Sequence, residues 1–196
     1  MLTGMRLIFW LWCGWGLYWL LAALRNKATR RREPLASRLA HLLPLAAGAT
    51  LLAWPARGWS ALAWRLWPPS LFACWIGVAL VIGGLAFAIW ARVHLGGNWS
   101  GTVTVKQGHE LIRSGPYAYV RHPIYTGLTT ALLGTTLASA TVHAALGLAI
   151  IVAAFLRKSR IEERFMRETF PGEYQRYSAE VPALIPGARP AHPTRR

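Results

Sequence analysis

Residues 111–127, LIRSGPYAYVRHPIYTG, gather one imidazole, two guanidinium groups and three tyrosines around Gly115, Pro116 and Pro123. Residues 124–156 then carry no charged side chain, and Lys158 and the pair Glu162-Glu163 follow them. Tyr117, Arg121, His122, Tyr125, Glu162 and Glu163 together could hold a polar ligand that bears both charges and hydroxyls. Gly115 is conformationally permissive and Pro116 fixes φ, so the chain turns before this group. Pro123 steers His122 away from the helical region and suits the first turn of a helix. His122 then stands at a helix N-terminus, where free backbone N–H groups attract anions. Each residue also has a plainer reading. Arg121 fits an anchor at a membrane surface, His122 a cap, the Glu pair a solvated helix face, and the tyrosines an interfacial belt. Whether they meet depends on the elements that carry them.

The chain has 196 residues, 54% hydrophobic and 15% charged, with 22 Lys and Arg against 7 Asp and Glu. The basic residues cluster between long apolar runs instead of lining a solvated face, which excludes a nucleic-acid binder and marks an integral membrane protein. Trp54, Trp59, Trp64 and Trp67, four of the eleven tryptophans, crowd a segment between two such runs, as an interfacial belt does. Cys13 and Cys74 both fall in apolar runs, and no metal-ligand spacing is present.

A span needs about 20 apolar residues. Leu7–Leu24, Leu39–Ala56 and Ser70–Ala91 are three candidates. The first is followed by Arg25, Lys27, Arg30, Arg31 and Arg32, which marks a retained anchor and not a cleaved signal. As one helix, residues 124–156 would measure about 50 Å. Basic residues flank both ends of that run, so it reads as a hairpin turning near Thr135–His143. The expectation is an all-α integral membrane protein of about five transmembrane helices, with 25–38, 92–123 and 157–167 in the cytoplasm. After Leu156 the chain turns amphipathic, and Pro171-Gly172 stop the helix. Residues 1–91 would hold three helices, 92–186 a catalytic module, and 187–196 a loose basic tail.

GHELIRSGPYAYVRHPIYTG, paired after the hairpin with EERFMRETFPGEYQRY, resembles the isoprenylcysteine carboxyl methyltransferase family and, more broadly, the membrane phospholipid methyltransferases. The resemblance covers residues 92–186, and its core is Arg121, His122, Pro123, Tyr125 and Gly127 with the downstream Glu pair. It implies a methyltransferase using S-adenosyl-L-methionine. The cofactor pocket would face the cytoplasm, formed by the segment before the last hairpin and by the C-terminal helix. Carried over by position, His109, Glu110, Leu111, Ile112, Tyr117, His122, Pro123, Ile124, Tyr125 and Glu162 are cofactor positions. Arg121 and Glu163 are placed with them, and Lys158 matches a substrate-contacting base. The sequence departs from the family pattern at Arg113, where a hydroxyl is usual, and at Phe170-Pro171-Gly172, one residue longer than usual.

Methyl transfer from a sulfonium is an in-line displacement, which needs alignment and a desolvated nucleophile. A carboxylate nucleophile needs only a cation to hold it, whereas an amine must lose a proton. Arg92 at the end of the third span is assigned that orienting, catalytic role with Glu162; its plainer reading is a snorkelling anchor. The acceptor would be lipophilic, an isoprenylcysteine-like acid entering from the surrounding lipid of a bacterial inner membrane. Three other readings stay open: an amine N-methyltransferase, a membrane reductase using a nicotinamide cofactor, and a non-catalytic scaffold. No motif identifies the acceptor itself or an oligomeric state.

Overall fold

A computed structural model describes residues 1–24, 29–32, 35–53, 61–96, 104–106 and 111–188. Among these residues six α-helices dominate: α1 (Leu2–Ala23), α2 (Leu35–Ala53), α3 (Leu71–Leu95), α4 (Pro123–Ser139), α5 (Val142–Thr169) and α6 (Glu173–Glu180). Among the described residues, a small antiparallel ribbon joins them, β1 (Thr29–Arg32) pairing with β2 (Thr104–Lys106), Arg32 opposite Thr104. His109 and Glu110 lie outside the described residues.

Segments within α1, α2, α3 and α5 are long and apolar enough to cross a membrane. α4, at 17 residues, is shorter, about 26 Å at ~1.5 Å per residue. The expected hairpin is present: α4 and α5 are joined at Ala140-Thr141, with Ala140 in the left-handed region at φ 56°. Local sequence sets the helix ends. The Ser70 side chain accepts from the Ala73 N–H and caps α3, and Pro123 opens α4 at its first position.

Chain direction alternates along the bundle. Arg92 on α3 donates to the Ala22 carbonyl of α1, Arg157 on α5 to the Ser37 carbonyl of α2, and Tyr125 on α4 to Glu162 on α5. These contacts share one end, which is also rich in basic residues. At the other end His143 Nδ1 lies 2.9 Å from the Leu51 carbonyl, and the loop at Trp64–Leu66 bonds to the α4–α5 turn.

Glycines let the helices approach. Gly77 faces Gly134 and Gly84 faces Gly127 across α3 and α4, and Gly48 faces Gly147 across α2 and α5. A Cβ at any of these six would strike the opposing carbonyl oxygen. In lipid, where apolar burial offers little driving force between helices, such close packing is a main source of cohesion. α1 is the least enclosed helix, and Phe9, Trp10, Leu17, Leu20 and Leu21 on it are exposed to the surroundings.

Candidate active site

Two elements bring the chemistry together at the basic end. One is the turn before α4, where a 3-10 segment, Gly115–Ala118, leads into Arg121 and His122. Gly115 has φ 59°, and a Cβ there would collide with the His94 ring, so both backbone and space require glycine. His94 is held there by Ser114, Nε2 to Oγ 2.9 Å. The other element is the last three turns of α5, which carry Lys158, Glu162, Glu163 and Arg167.

His122 stands between the two carboxylates. Its Nε2 is 3.2 Å from Glu163 Oε1, and its Nδ1 is 3.5 Å from Glu162 Oε2. With a carboxylate at each nitrogen, the doubly protonated ring is the form that offends neither. Burial by itself pushes the His122 pKa down, but the hydrogen bonds and charges of Glu162 and Glu163 outweigh it and lift the group above its ordinary value.

The adjacent glutamates have different work. Glu163 Oε1 accepts from Arg121 Nε at 3.0 Å and Nη2 at 2.6 Å, and its Oε2 accepts from Arg167 at 3.0 Å. It is the hub of an internal ion network, with a side chain 12% exposed. Glu162 is 26% exposed and accepts from the Tyr125 hydroxyl at 2.6 Å. By side-chain exposure Glu162 is the more open of the two carboxylates.

Rings form the wall beside it. His122 stacks on Tyr125 and Tyr125 on Phe155, at centroid distances of 5.6 and 4.8 Å. Lys158, buried, places Nζ 5.9 Å from the Tyr125 ring centroid. Tyr117 is buried, and its pKa is raised by burial and by the nearby charges of Glu162 and Tyr177, an effect Arg92 partly offsets. Arg92 also donates to the Gly96 carbonyl at 2.8 Å and to the Ala22 carbonyl at 2.9 Å, so it ties the ends of α1 and α3 together.

Of the residues singled out in the sequence, Tyr117, Arg121, His122, Tyr125, Lys158, Glu162 and Glu163 come together. Pro123 and Ile124 are buried at the start of α4, and Ile112 packs against the core. Leu111, beside it in the chain, is half-buried. Three groups escaped the sequence reading. Phe155 completes the ring stack. Tyr177 donates to the Tyr117 carbonyl at 2.6 Å. Residues 181–184 lie along Arg121 and His122, with the Arg121 and His122 N–H groups donating to the Pro182 and Ala183 carbonyls. Tyr174 is buried on α6 as well, and backbone acceptors leave no side-chain signature.

Comparison with known proteins falls on the stretch that carries these side chains. Residues 75–168 match the sequence model of the isoprenylcysteine carboxyl methyltransferase (ICMT) family. The protein-S-isoprenylcysteine O-methyltransferase of Schizosaccharomyces pombe is 32% identical over 99 residues, 49% of this chain and 42% of that protein. The cobalt-zinc-cadmium resistance protein CzcN of Cupriavidus metallidurans is 30% identical over 115 residues, 57% of this chain and 46% of that one. The human protein-S-isoprenylcysteine O-methyltransferase is 29% identical over 126 residues, 61% and 44% of the two chains. In each case the chain spans less than half the relative's length. Among solved structures, a eukaryotic intramembrane Ras methyltransferase, ICMT, matches with a TM-score of 0.50 at 23% identity, over 78% of this chain and 51% of that one. That likeness shows a shared membrane fold.

Proposed function

We infer, for a chain whose residues 75–168 match the isoprenylcysteine carboxyl methyltransferase family model, that the site moves a methyl group from S-adenosyl-L-methionine to the carboxylate of a lipophilic, isoprenylcysteine-like acceptor. The observation that carries this reading is the junction of the two motifs: the Tyr125 hydroxyl and His122 both bear on Glu162, the more open carboxylate.

The residues fit the cofactor. A sulfonium cation favours a carboxylate among aromatic rings, and Glu162 beside Tyr117 and Tyr125 supplies that setting. When bound, the cofactor supplies an electrophilic methyl group. His109, Glu110, Leu111, Ile112, Pro123 and Ile124 would line its site with Tyr117, His122 and Tyr125. Glu162 would accept from its donors, and Arg121 and Glu163 would hold His122 in place. Lys158 would contact the acceptor, and Arg92 would orient its carboxylate.

Carboxylate chemistry is favoured over amine chemistry by His122. Both its nitrogens face glutamates, so it is not available as a base to deprotonate an amine. The basic end is assigned to the cytoplasm of a bacterial inner membrane, where positive-inside bias puts it, with the acceptor's tail reaching the site from the bilayer.

The test uses membranes holding the wild type or Glu162→Gln, with donor labelled in the methyl group, prenylcysteine analogues and total lipid. Label released by base as methanol from the wild type, and lost in Glu162→Gln, is the expected result. Base-stable label on lipid would replace the carboxylate acceptor with an amine. Label absent from every fraction would overturn the methyltransferase reading.

A further inference from the structure

The segment after α6 presents its backbone carbonyls to one short stretch of chain. Arg121 Nη1 donates to the Ser178 carbonyl at 3.0 Å and also to that of Val181. The Arg121 N–H donates to Pro182 at 2.9 Å and the His122 N–H to Ala183 at 3.0 Å. The Thr126 hydroxyl, one turn into α4, contacts the Leu184 carbonyl at 2.7 Å and the His122 carbonyl at 3.2 Å. Five carbonyls between residues 178 and 184 thus converge on residues 121–126. Ser178 lies in the last turn of α6, whose carbonyls have no partner within the helix, so Arg121 caps that helix while it grips Glu163.

We propose that residues 181–184 are a positioning strap for the candidate site, and that Arg121 and Thr126 are the positioning residues through which it fixes the His122 ring between Glu162 and Glu163. The physical reason is economy of freedom. Pro123 removes one N–H from the start of α4, so the loop ahead of the helix is anchored by few donors. The two N–H groups of Arg121 and His122 are taken by the strap, and the hydroxyl of Thr126 fastens the helix to the same strand of carbonyls. His122 and Arg121 share Glu163 Oε1, so a shift of this loop displaces both partners of that carboxylate together.

The groups that bear on His122 are Glu162 and Glu163 from α5 and the Tyr125 ring from α4. Arg121 and Arg167 act on it through Glu163, and Lys158 by its charge on Glu162. A ring that leaves this setting loses the carboxylates that raise its protonation midpoint, which gives the strap a measurable signature.

The experiment compares the full-length wild type, Thr126→Val and Thr126→Ser in detergent, labelled with ¹³C-histidine, with His122→Asn to assign the resonance. Thermal midpoints and amide exchange at Arg121 and His122 are read on the same samples. For Thr126→Val we expect faster exchange at both amides and a His122 titration midpoint moved down toward that of an ordinary imidazole, while Thr126→Ser restores both. Should Thr126→Val fail to fold, Arg121→Lys serves instead. It keeps a cation beside Glu163 but cannot span that carboxylate and the strap together, so the same two changes are expected. A thermal midpoint that falls with the His122 titration and the amide protection unchanged would overturn the proposal and leave a purely structural contact. These readings use ligand-free protein, so they stand apart from the methyltransferase assignment. S-adenosylhomocysteine is the binding probe. Affinity weakened about tenfold in Thr126→Val and kept in Thr126→Ser supports the strap. An intact strap with no binding in the wild type would count against the cofactor alone.

Discussion

The apolar bundle and the cluster at its basic end are held together by opposite means. Between α3 and α4 and between α2 and α5, cohesion comes from shape: paired glycines bring backbones together where water plays no part. At the end of α5 it comes from charge and direction: one carboxylate, Glu163, faces two arginines and an imidazole. The difference teaches that lesions in the two regions should not look alike. Crowding should abolish the bundle, whereas removing a charge should loosen the site and spare the helices.

The largest effect is expected from Gly84→Val. Its Cβ would overlap the Gly127 carbonyl and lie 2.6 Å from the Ala131 nitrogen, a backbone collision no rotamer relieves. We expect a loss of at least about 3 kcal/mol, at the upper end of overpacking costs, read as failure to recover monodisperse protein. Gly14→Ala on α1, where a Cβ meets nothing within 4 Å, is the control and should stay within about 0.5 kcal/mol. A folded Gly84→Val chain would break the contrast between the regions.

Next comes Glu163→Gln, which removes the charge that Arg121 and His122 share but leaves an amide oxygen to accept from them, with Glu162 still beside His122 and two carbonyls on Arg121. Weakening hydrogen bonds between charged groups costs about 2 kcal/mol. We expect a lowered thermal midpoint with helical circular dichroism intact at low temperature.

The protonation of His122 gives a third handle. Its folded pKa is raised, so its contribution is fully present below the unfolded value of about 6.5 and is lost as pH rises through the folded value. Thermal midpoints of the wild type should fall across that window, and those of His122→Asn should lack this component. An identical slope in both would place the titration elsewhere.

Tyr125→Phe is the mildest. It keeps the stack with His122 and Phe155 and removes only the bond to Glu162. A stability change of about 1 kcal/mol is expected, with weaker binding of S-adenosylhomocysteine as the more sensitive measure.

Much of this was legible in the sequence because hydropathy and charge report directly on a bilayer. The charge-free run at 124–156 with basic flanks required a reversal, and the chain reverses at Ala140-Thr141. Gly115, Pro116 and Pro123 announced the turn that carries His122. The division of labour between Glu162 and Glu163 was not legible. Adjacent residues on a helix point about 100° apart, and which one faces inward depends on how α5 is rotated against α4. The short ribbon and the strap were hidden for another reason: their bonds are between backbone groups, which any residue supplies. Arg92 could be read as a charge at a span's end, but its grip on the Ala22 carbonyl depends on how α1 is seated.

α5 runs unbroken from the turn at Thr141 to Thr169. It is pinned near one end by Gly147 against Gly48, and it carries Glu162 about 22 Å further along at ~1.5 Å per residue. Geometrically it is a lever with a close pivot. A tilt of roughly 3° would swing the carboxylate by about 1 Å, a displacement that matters to any aligned reaction. Helices tilt to match the hydrocarbon around them. The site should therefore sense lipid thickness, and S-adenosylhomocysteine affinity should differ between nanodiscs of short-chain and long-chain phosphatidylcholine. Equal affinity in both would mean that the pivot does not turn.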